Sequence, residues 1–226
     1  MDYADQNVER GLSGGRLAVL DLGVTRYGDA FRIQLDNLEK RITRGIPDTL
    51  IVTEHEPIVT LGRLSSDSNI LNTKYFGDNS ISIERTNRGG DVTYHAPGQL
   101  VFYPIVDLSA WGRDIATYID FLEISVMKAL IEIGVCAERI RDVRGVWARD
   151  RKIAFTGVAV KKWITYHGVS VNVNNDVEPF RHMNPCGIKN IKVTSVMNEL
   201  GASQDLNRIK DIFCRHFISN FENQIR

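Results

Sequence analysis

The stretch KIAFTGVAVKKWITYHGVSVNV, Lys152–Val173, reads as two β-strands, Ile153–Val160 and Trp163–Val173, with Lys161-Lys162 as the hairpin turn between them. Gly157 and Gly168 interrupt the two runs, and a glycine inside a strand pattern marks a place where another backbone or a ligand comes close. Further strand patterns fall at Leu17–Leu22, Leu50–Glu54, Ile81–Thr86 and Leu100–Val106. Three helices are readable among them. After Asp29, Phe31, Leu35, Leu38 and Ile42 share one face, and Gly45 and Pro47 stop the run. Asp114 caps a second helix with Ile115, Tyr118, Ile119, Leu122, Val126, Leu130 and Ile133 on one stripe and Gly134 as its stop. A third, Asp205 to Phe221, carries Leu206, Ile209, Phe213, Phe217 and Phe221. The elements lack the regular strand–helix–strand rhythm of a doubly wound parallel sheet, so the expected class is α+β.

The chain has 226 residues, enough for a full core without metals or disulfides. Lys plus Arg (28) equals Asp plus Glu (28), which argues against broad electrostatic binding to nucleic acid or an anionic membrane. No apolar run approaches the roughly 18 residues of a membrane span. The three cysteines, Cys136, Cys186 and Cys214, lack the short spacing of a zinc knuckle and fit a reduced, intracellular setting. Residues 1–15, with Asp2, Asp5 and Glu9, have neither the apolar run of a secretory signal nor the acid-poor composition of a presequence. They read as a flexible tail ending at Ser13-Gly14-Gly15, with residues 16–226 as one domain and Asn174–Lys192 as a long irregular loop.

Four segments are denser in unusual residues than a core requires: Thr53–Pro57 with Thr60–Arg63, Arg88–Gln99, Lys152–Gly168, and Asn184–Ile188. Cys186 lies between Pro185 and Gly187 in a polar loop, whereas Cys136 and Cys214 fall on apolar faces, where cysteine is an inert filler. Gly187 would let a backbone N–H approach a reacting carbonyl. The thiolate is the reactive form of cysteine and needs a neighbouring cation or base. The candidates are His55, His95, His167, His182 and Lys152, with His95 exposed by context and Lys152 opening an apolar strand. An edge lysine is ordinarily solvated, but a half-buried one can serve as a base or ion-pair partner. Arg88-Gly89-Gly90 could form a turn whose N–H groups cradle an oxygen, or a plain hairpin turn. It lacks the Gly-Lys-Ser/Thr ending of a phosphate loop, and no GxGxxG fingerprint occurs.

Taken together and in order, RGGDVTYHAPGQLVFYPI (Arg88–Ile105), KIAFTGVAV (Lys152–Val160), PCGI (Pro185–Ile188) and TEHEPIVTLGR (Thr53–Arg63) resemble the lipoyl(octanoyl) transferase family. The resemblance spans roughly Leu50 to Ser195. It implies a mixed β-sheet with packed helices, the catalytic-domain fold of biotin- and lipoate-protein ligases. It implies transfer of an octanoyl group from octanoyl-acyl carrier protein to a lysine of lipoyl domains, those of 2-oxoacid dehydrogenases and the glycine cleavage H protein. By the same resemblance Cys186 is the acyl-thioester nucleophile and Lys152 the residue that holds its thiolate and relays protons. Arg88, Gly89, Gly90, Asp91, Val92, Thr93, Tyr94 and His95 form a substrate-binding loop. Phe155, Thr156, Gly157, Gly168, Val169 and Ser170 wall the acyl pocket, with Gly157 and Gly168 leaving room for the tail. No metal or cofactor is implied, and a cytoplasmic monomer is expected. The chain departs from the family pattern at Ala96, where glycine is usual, and at Phe155, whose phenyl would narrow the acyl tunnel. Competing readings are an ATP-dependent lipoate-protein ligase on the same fold, a non-catalytic binding module, and a cysteine hydrolase pairing Cys186 with His167 or His95.

Overall fold

The computed structural model describes residues 17–224, so the expected tail lies outside the described residues. The elements are β1 (Leu17–Thr25), α1 (Tyr27–Ile42), β2 (Asp48–His55), β3 (Ile58–Leu61), α2 (Thr73–Asp78), β4 (Ser82–Arg85), β5 (Val92–His95) and β6 (Gln99–Ile105). They continue with α3 (Ile115–Glu132), β7 (Ala137–Glu138), β8 (Val146–Ala148), β9 (Arg151–Lys161), β10 (Ile164–Asn172), β11 (Lys192–Val193), α4 (Val196–Leu200) and α5 (Leu206–Gln224).

The main sheet runs β1-β2-β6-β10-β9-β8-β7, with β11 added beside β9. It is mixed: β1–β2 and β11–β9 are parallel, and the other pairs are antiparallel. β10 is buried along its whole length because strands flank it and helices cover both faces. On one face Phe102, Val169 and Val171 pack with Leu122, Val126, Phe213 and Phe217 of α3 and α5. On the other, Ile51, Val101, Tyr103 and Tyr166 pack under Leu38 of α1. A small sheet, β4-β3-β5, forms a third cluster with Phe155, Phe180 and Met183.

The helices lie where the apolar spacing puts them. Asp114 caps α3, its carboxylate accepting from the N–H groups of Ala116 and Thr117 at 2.8 and 3.2 Å. The β9–β10 hairpin closes one residue later than expected. Lys161 pairs with Ile164, and the turn is Lys162-Trp163, both at positive φ (52° and 66°). That conformation matches the right-handed twist of the strands it joins. β3 and β5 escape sequence reading because each is only four residues long and wholly buried, so neither has a polar face to show a period of two. The stretch Arg88–His95 is therefore half turn and half strand. Cys136 is exposed, contrary to expectation, while Cys214 is buried on the inner face of α5. Among the described residues no helix is long and apolar enough to cross a membrane.

Candidate active site

Cys186 sits in a one-turn 3-10 segment, Pro185–Gly187, with left-handed backbone angles (φ 58°, ψ 20°). This conformation is uncommon outside glycine and costs about 1 kcal/mol or more, so the surroundings must hold it. Two contacts do. The Gly187 N–H donates to the Asn184 carbonyl at 2.9 Å, and Gly187 itself abuts Asp91, where a Cβ would lie 2.7 Å from Oδ2. Asp91 is pinned by Asn69 Nδ2 and by the Val92 N–H, each at 2.7 Å. The Gly187 N–H is itself spent on the turn and is not available to a reacting carbonyl. The N–H groups of Gly90, Asp91 and Cys186 instead have no acceptor among the described residues.

Lys152 is 1 % exposed, and its Nζ lies 3.2 Å from Cys186 Sγ. The same nitrogen donates to the Arg144 carbonyl at 2.8 Å and stands over the rings of Trp147 (5.6 Å) and Phe155 (5.2 Å). A buried ammonium needs such partners, since desolvation without them is prohibitive. β11 makes the encounter possible: Val193 pairs with Lys152, and the Thr194 N–H donates to the Lys152 carbonyl at 2.9 Å. The loop carrying Cys186 is thereby returned to the start of β9.

In front of Cys186 opens a narrow pocket with a free volume of about 30 Å³. Of the sequence-selected residues, Arg88, Gly90, Asp91, Val92, Thr93 and His95 form one wall. Phe155, Thr156 and Gly157 of β9 and Gly168, Val169 and Ser170 of β10 form the other. Two do not line it. Gly89 is folded against β9, its N–H donating to the Val158 carbonyl at 2.9 Å, and Tyr94 points away, edge-on to Phe180 at 5.7 Å. The two strand glycines leave less room than expected. A Cβ on Gly168 would lie 2.1 Å from the Phe102 carbonyl, and one on Gly157 would lie 2.8 Å from the Gly89 carbonyl. Their missing side chains are filled by neighbouring backbone, and the slot runs past them. Tyr27, Val101 and Tyr103 also line the pocket and were not foreseen. Tyr27 sits at the start of α1, and the other two lie on a β6 stretch that reads only as a buried strand.

His55, His95 and His167 are framework groups that burial keeps neutral. His95 is buried, not exposed, bonded to Gln99 Oε1 at 2.7 Å, and burial holds its pKa well below the usual value. Burial lowers His55 to about 4 and His167 to about 3. His55 Nε2 meets Tyr103 Oη at 2.8 Å, and His167 Nε2 meets Asn87 Oδ1 at 2.8 Å. His167 (φ 56°) breaks the strand alternation, so its ring stacks on Phe31 of α1 at 5.2 Å. Among the described residues neither His95 nor His167 hydrogen-bonds Sγ, whose partner is Lys152 Nζ. Arg88 is buried and spans Thr60 and Gly89, with Nη2 donating to the Thr60 carbonyl at 2.6 Å. Burial lowers its pKa, opposed by the nearby Tyr27 and Cys186. Thr93 Oγ1, Thr156 Oγ1 and His167 Nδ1, all on pocket residues, have no hydrogen-bond partner among the described residues. Among the described residues no group of three or more His, Cys, Asp or Glu side chains is placed to hold a metal ion.

Residues 26–218 match the model of the lipoyl protein ligase A/B catalytic domain. An octanoyltransferase of Geobacter sp. (strain M21) is 39% identical over 197 residues, covering 87% of this chain and 93% of the relative. An octanoyltransferase of Pelobacter propionicus is 40% identical over 195 residues, covering 84% and 88%. The structure of Ta0514 from T. acidophilum, described as a putative lipoate protein ligase with bound lipoic acid, superposes with a TM-score of 0.71 at 20% identity, over 92% of this chain and 86% of that one. A biotin protein ligase from Aquifex aeolicus superposes with a TM-score of 0.53 at 15% identity, over 91% and 69%. The mixed sheet with packed helices is thus the fold of the lipoate- and biotin-ligase catalytic domains, as the motifs implied. With a family model spanning residues 26–218 and relatives matched over 84–87% of its length, the chain belongs to the lipoyl protein ligase A/B catalytic domain family.

Proposed function

We propose that Cys186 and Lys152 are the nucleophile and the proton relay of an octanoyltransferase. The octanoyl donor is octanoyl-acyl carrier protein and the acceptor is a lysine of a lipoyl domain. The relatives that match this chain across its length carry the octanoyltransferase name, and the enzyme class is acyltransferase. The observation that carries the reading is the 3.2 Å contact between Nζ and Sγ beside the pocket. An ammonium at that distance stabilises a thiolate.

In the first half-reaction Sγ attacks the thioester carbonyl. A C–S bond to Cys186 forms, the carrier C–S bond breaks, and the departing thiolate takes a proton from Lys152. The uncommitted N–H groups of Gly90, Asp91 and Cys186 are the donors offered to the oxyanion. In the second half-reaction the acceptor amine attacks the acyl-enzyme and its proton passes to the neutral Lys152. The amide forms, and the Cys186 thiolate and Lys152 ammonium are restored. The acyl tail lies between β5 and the β9–β10 hairpin. Burying about seven carbons at about 0.8 kcal/mol each supplies the binding energy that offsets ordering costs. Lipoyl domains of 2-oxoacid dehydrogenases and the glycine cleavage H protein are the acceptors this reading entails, in the cytoplasm, with residues 16–226 acting as one catalytic domain and as a monomer.

Intact-mass analysis after incubation with octanoyl carrier protein, without ATP, tests the proposal. One hydroxylamine-labile octanoyl group should appear on the unaltered chain and be absent from Cys186→Ser. An adduct that requires ATP would favour the lipoate-ligase reading, and an undiminished thioester adduct on Cys186→Ser would overturn the nucleophile.

A further inference from the structure

Lys152 is not held by Cys186 alone. The Arg144 carbonyl that accepts from Nζ at 2.8 Å belongs to the same peptide unit as the Gly145 N–H. That N–H donates to Glu123 Oε1 at 2.7 Å. Glu123 lies on α3 beside its apolar stripe and is 1 % exposed, a rare place for a carboxylate. Its second oxygen accepts from Arg139 Nε at 3.0 Å, and Arg144 Nη1 stands 3.9 Å from it. Asp120 binds the outer edge of both arginines.

Gly145 fits this arrangement in two ways. Its φ is +104°, and a Cβ there would lie 2.5 Å from both Lys152 Cε and the Ala154 carbonyl. The peptide is thus pressed flat onto the lysine and gripped from behind by a carboxylate. An anion on the N–H of a peptide polarises its carbonyl and makes it a stronger acceptor.

We propose that Glu123 is a positioning residue for the proposed Lys152–Cys186 pair. Through the Arg144–Gly145 peptide it fixes the carbonyl that aims Nζ at Sγ. The inference rests on the reading of Cys186 as the nucleophile, but its test needs no acyl donor. The rate of iodoacetamide alkylation, followed at the Cys186 peptide by mass spectrometry between pH 6 and 10, reports how well the thiolate is held. The charged groups facing Sγ in that titration are Lys152, Arg88 and Asp91.

Glu123→Met keeps the volume and removes the acceptor. It should slow alkylation at neutral pH on the order of tenfold and move the profile to higher pH, as expected for a displaced catalytic group. Glu123→Gln keeps an acceptor oxygen for Gly145 and should restore most of the rate. Arg139→Gln removes the ion pair but not the grip on Gly145 and should leave the profile in place. A folded Glu123→Met with the unaltered profile overturns the proposal, and so does Glu123→Gln falling as far as Glu123→Met. If Glu123→Met does not fold, hydrogen exchange of the Gly145 amide in the unaltered chain decides: strong protection supports the grip, and exchange at the rate of an open loop overturns it. Absence of an octanoyl adduct alongside a shifted Glu123→Met profile would refute the transfer chemistry and leave the positioning role standing.

Discussion

Lys152 Nζ lies 3.2 Å from Cys186 Sγ although 34 residues separate the two in the chain. The contact is made inside the protein, where the amine's partners among the described residues are Sγ, one carbonyl and two aromatic faces. Lys152→Met should therefore separate function from stability. Acyl-adduct formation should fall by about 10²- to 10⁴-fold, the usual share of a general acid–base group. The melting temperature should hold or rise, because an apolar chain of similar length replaces a buried charge. Stopped-time mass spectrometry and a thermal melt check the two halves. An unchanged acylation rate would remove Lys152 from the chemistry.

Gly168→Ala should be severe. The new Cβ would meet the Phe102 carbonyl at 2.1 Å, between central strands that cannot part without breaking their ladder. A loss of about 3 kcal/mol or more, equivalent to a drop of roughly 6–12 °C in melting temperature, is expected. Gly28→Ala, with nothing within 4 Å of its Cβ on helix α1, is the contrasting control. It should raise the melting temperature slightly, by lowering the entropy of the unfolded chain.

The buried histidines set an acid limit on stability. His55 and His167 titrate near 4 and 3 in the folded chain, against about 6.5 when unfolded. Below pH 6.5 the unfolded chain binds protons that the folded one refuses, so stability falls as pH drops from about 6.5 toward 4 for His55 and toward 3 for His167, and is level above about 6.5. Each histidine withdraws at most about 2 kcal/mol between pH 7 and pH 5. Urea unfolding at the two pH values should show the loss, and His167→Gln should reduce it. An equal loss in His167→Gln would mean that this ring is not kept neutral by the fold.

Phe155 lines the pocket and stacks on Phe180 at 5.0 Å with ring planes 3° apart. Phe155→Val should open it and move acyl preference toward longer chains. In a mixture of octanoyl and dodecanoyl thioesters, the ratio of dodecanoyl to octanoyl adduct should rise on the order of tenfold, the scale set by a few methylenes in an apolar pocket. An unchanged ratio would place the length-determining wall elsewhere.

Local pattern was enough for much of this protein. Periodicity placed α1, α3 and α5, the strand runs of Lys152–Val173 placed the central hairpin to within one residue, and residue chemistry together with the family resemblance selected Cys186 and Lys152. Most of the pocket wall, from Arg88 to His95 and from Phe155 to Ser170, was legible as motif. Local pattern could not place β3 or β5, too short and too buried to alternate, and it put His95 in solvent when that ring lies in the core. Nor could it give Gly168 its actual neighbour, the Phe102 carbonyl, or single out Glu123 from the charged residues of a helix. Those facts depend on which segments meet. The sequence by itself supplied the candidate reacting groups and most of the elements that carry them. Only the tertiary structure, by adding β11 beside β9 and laying α3 behind the Arg144–Gly145 peptide, decided that an amine and a thiol far apart in the chain share one desolvated site. Contacts of that kind arise from the packing of whole elements, which no local pattern encodes.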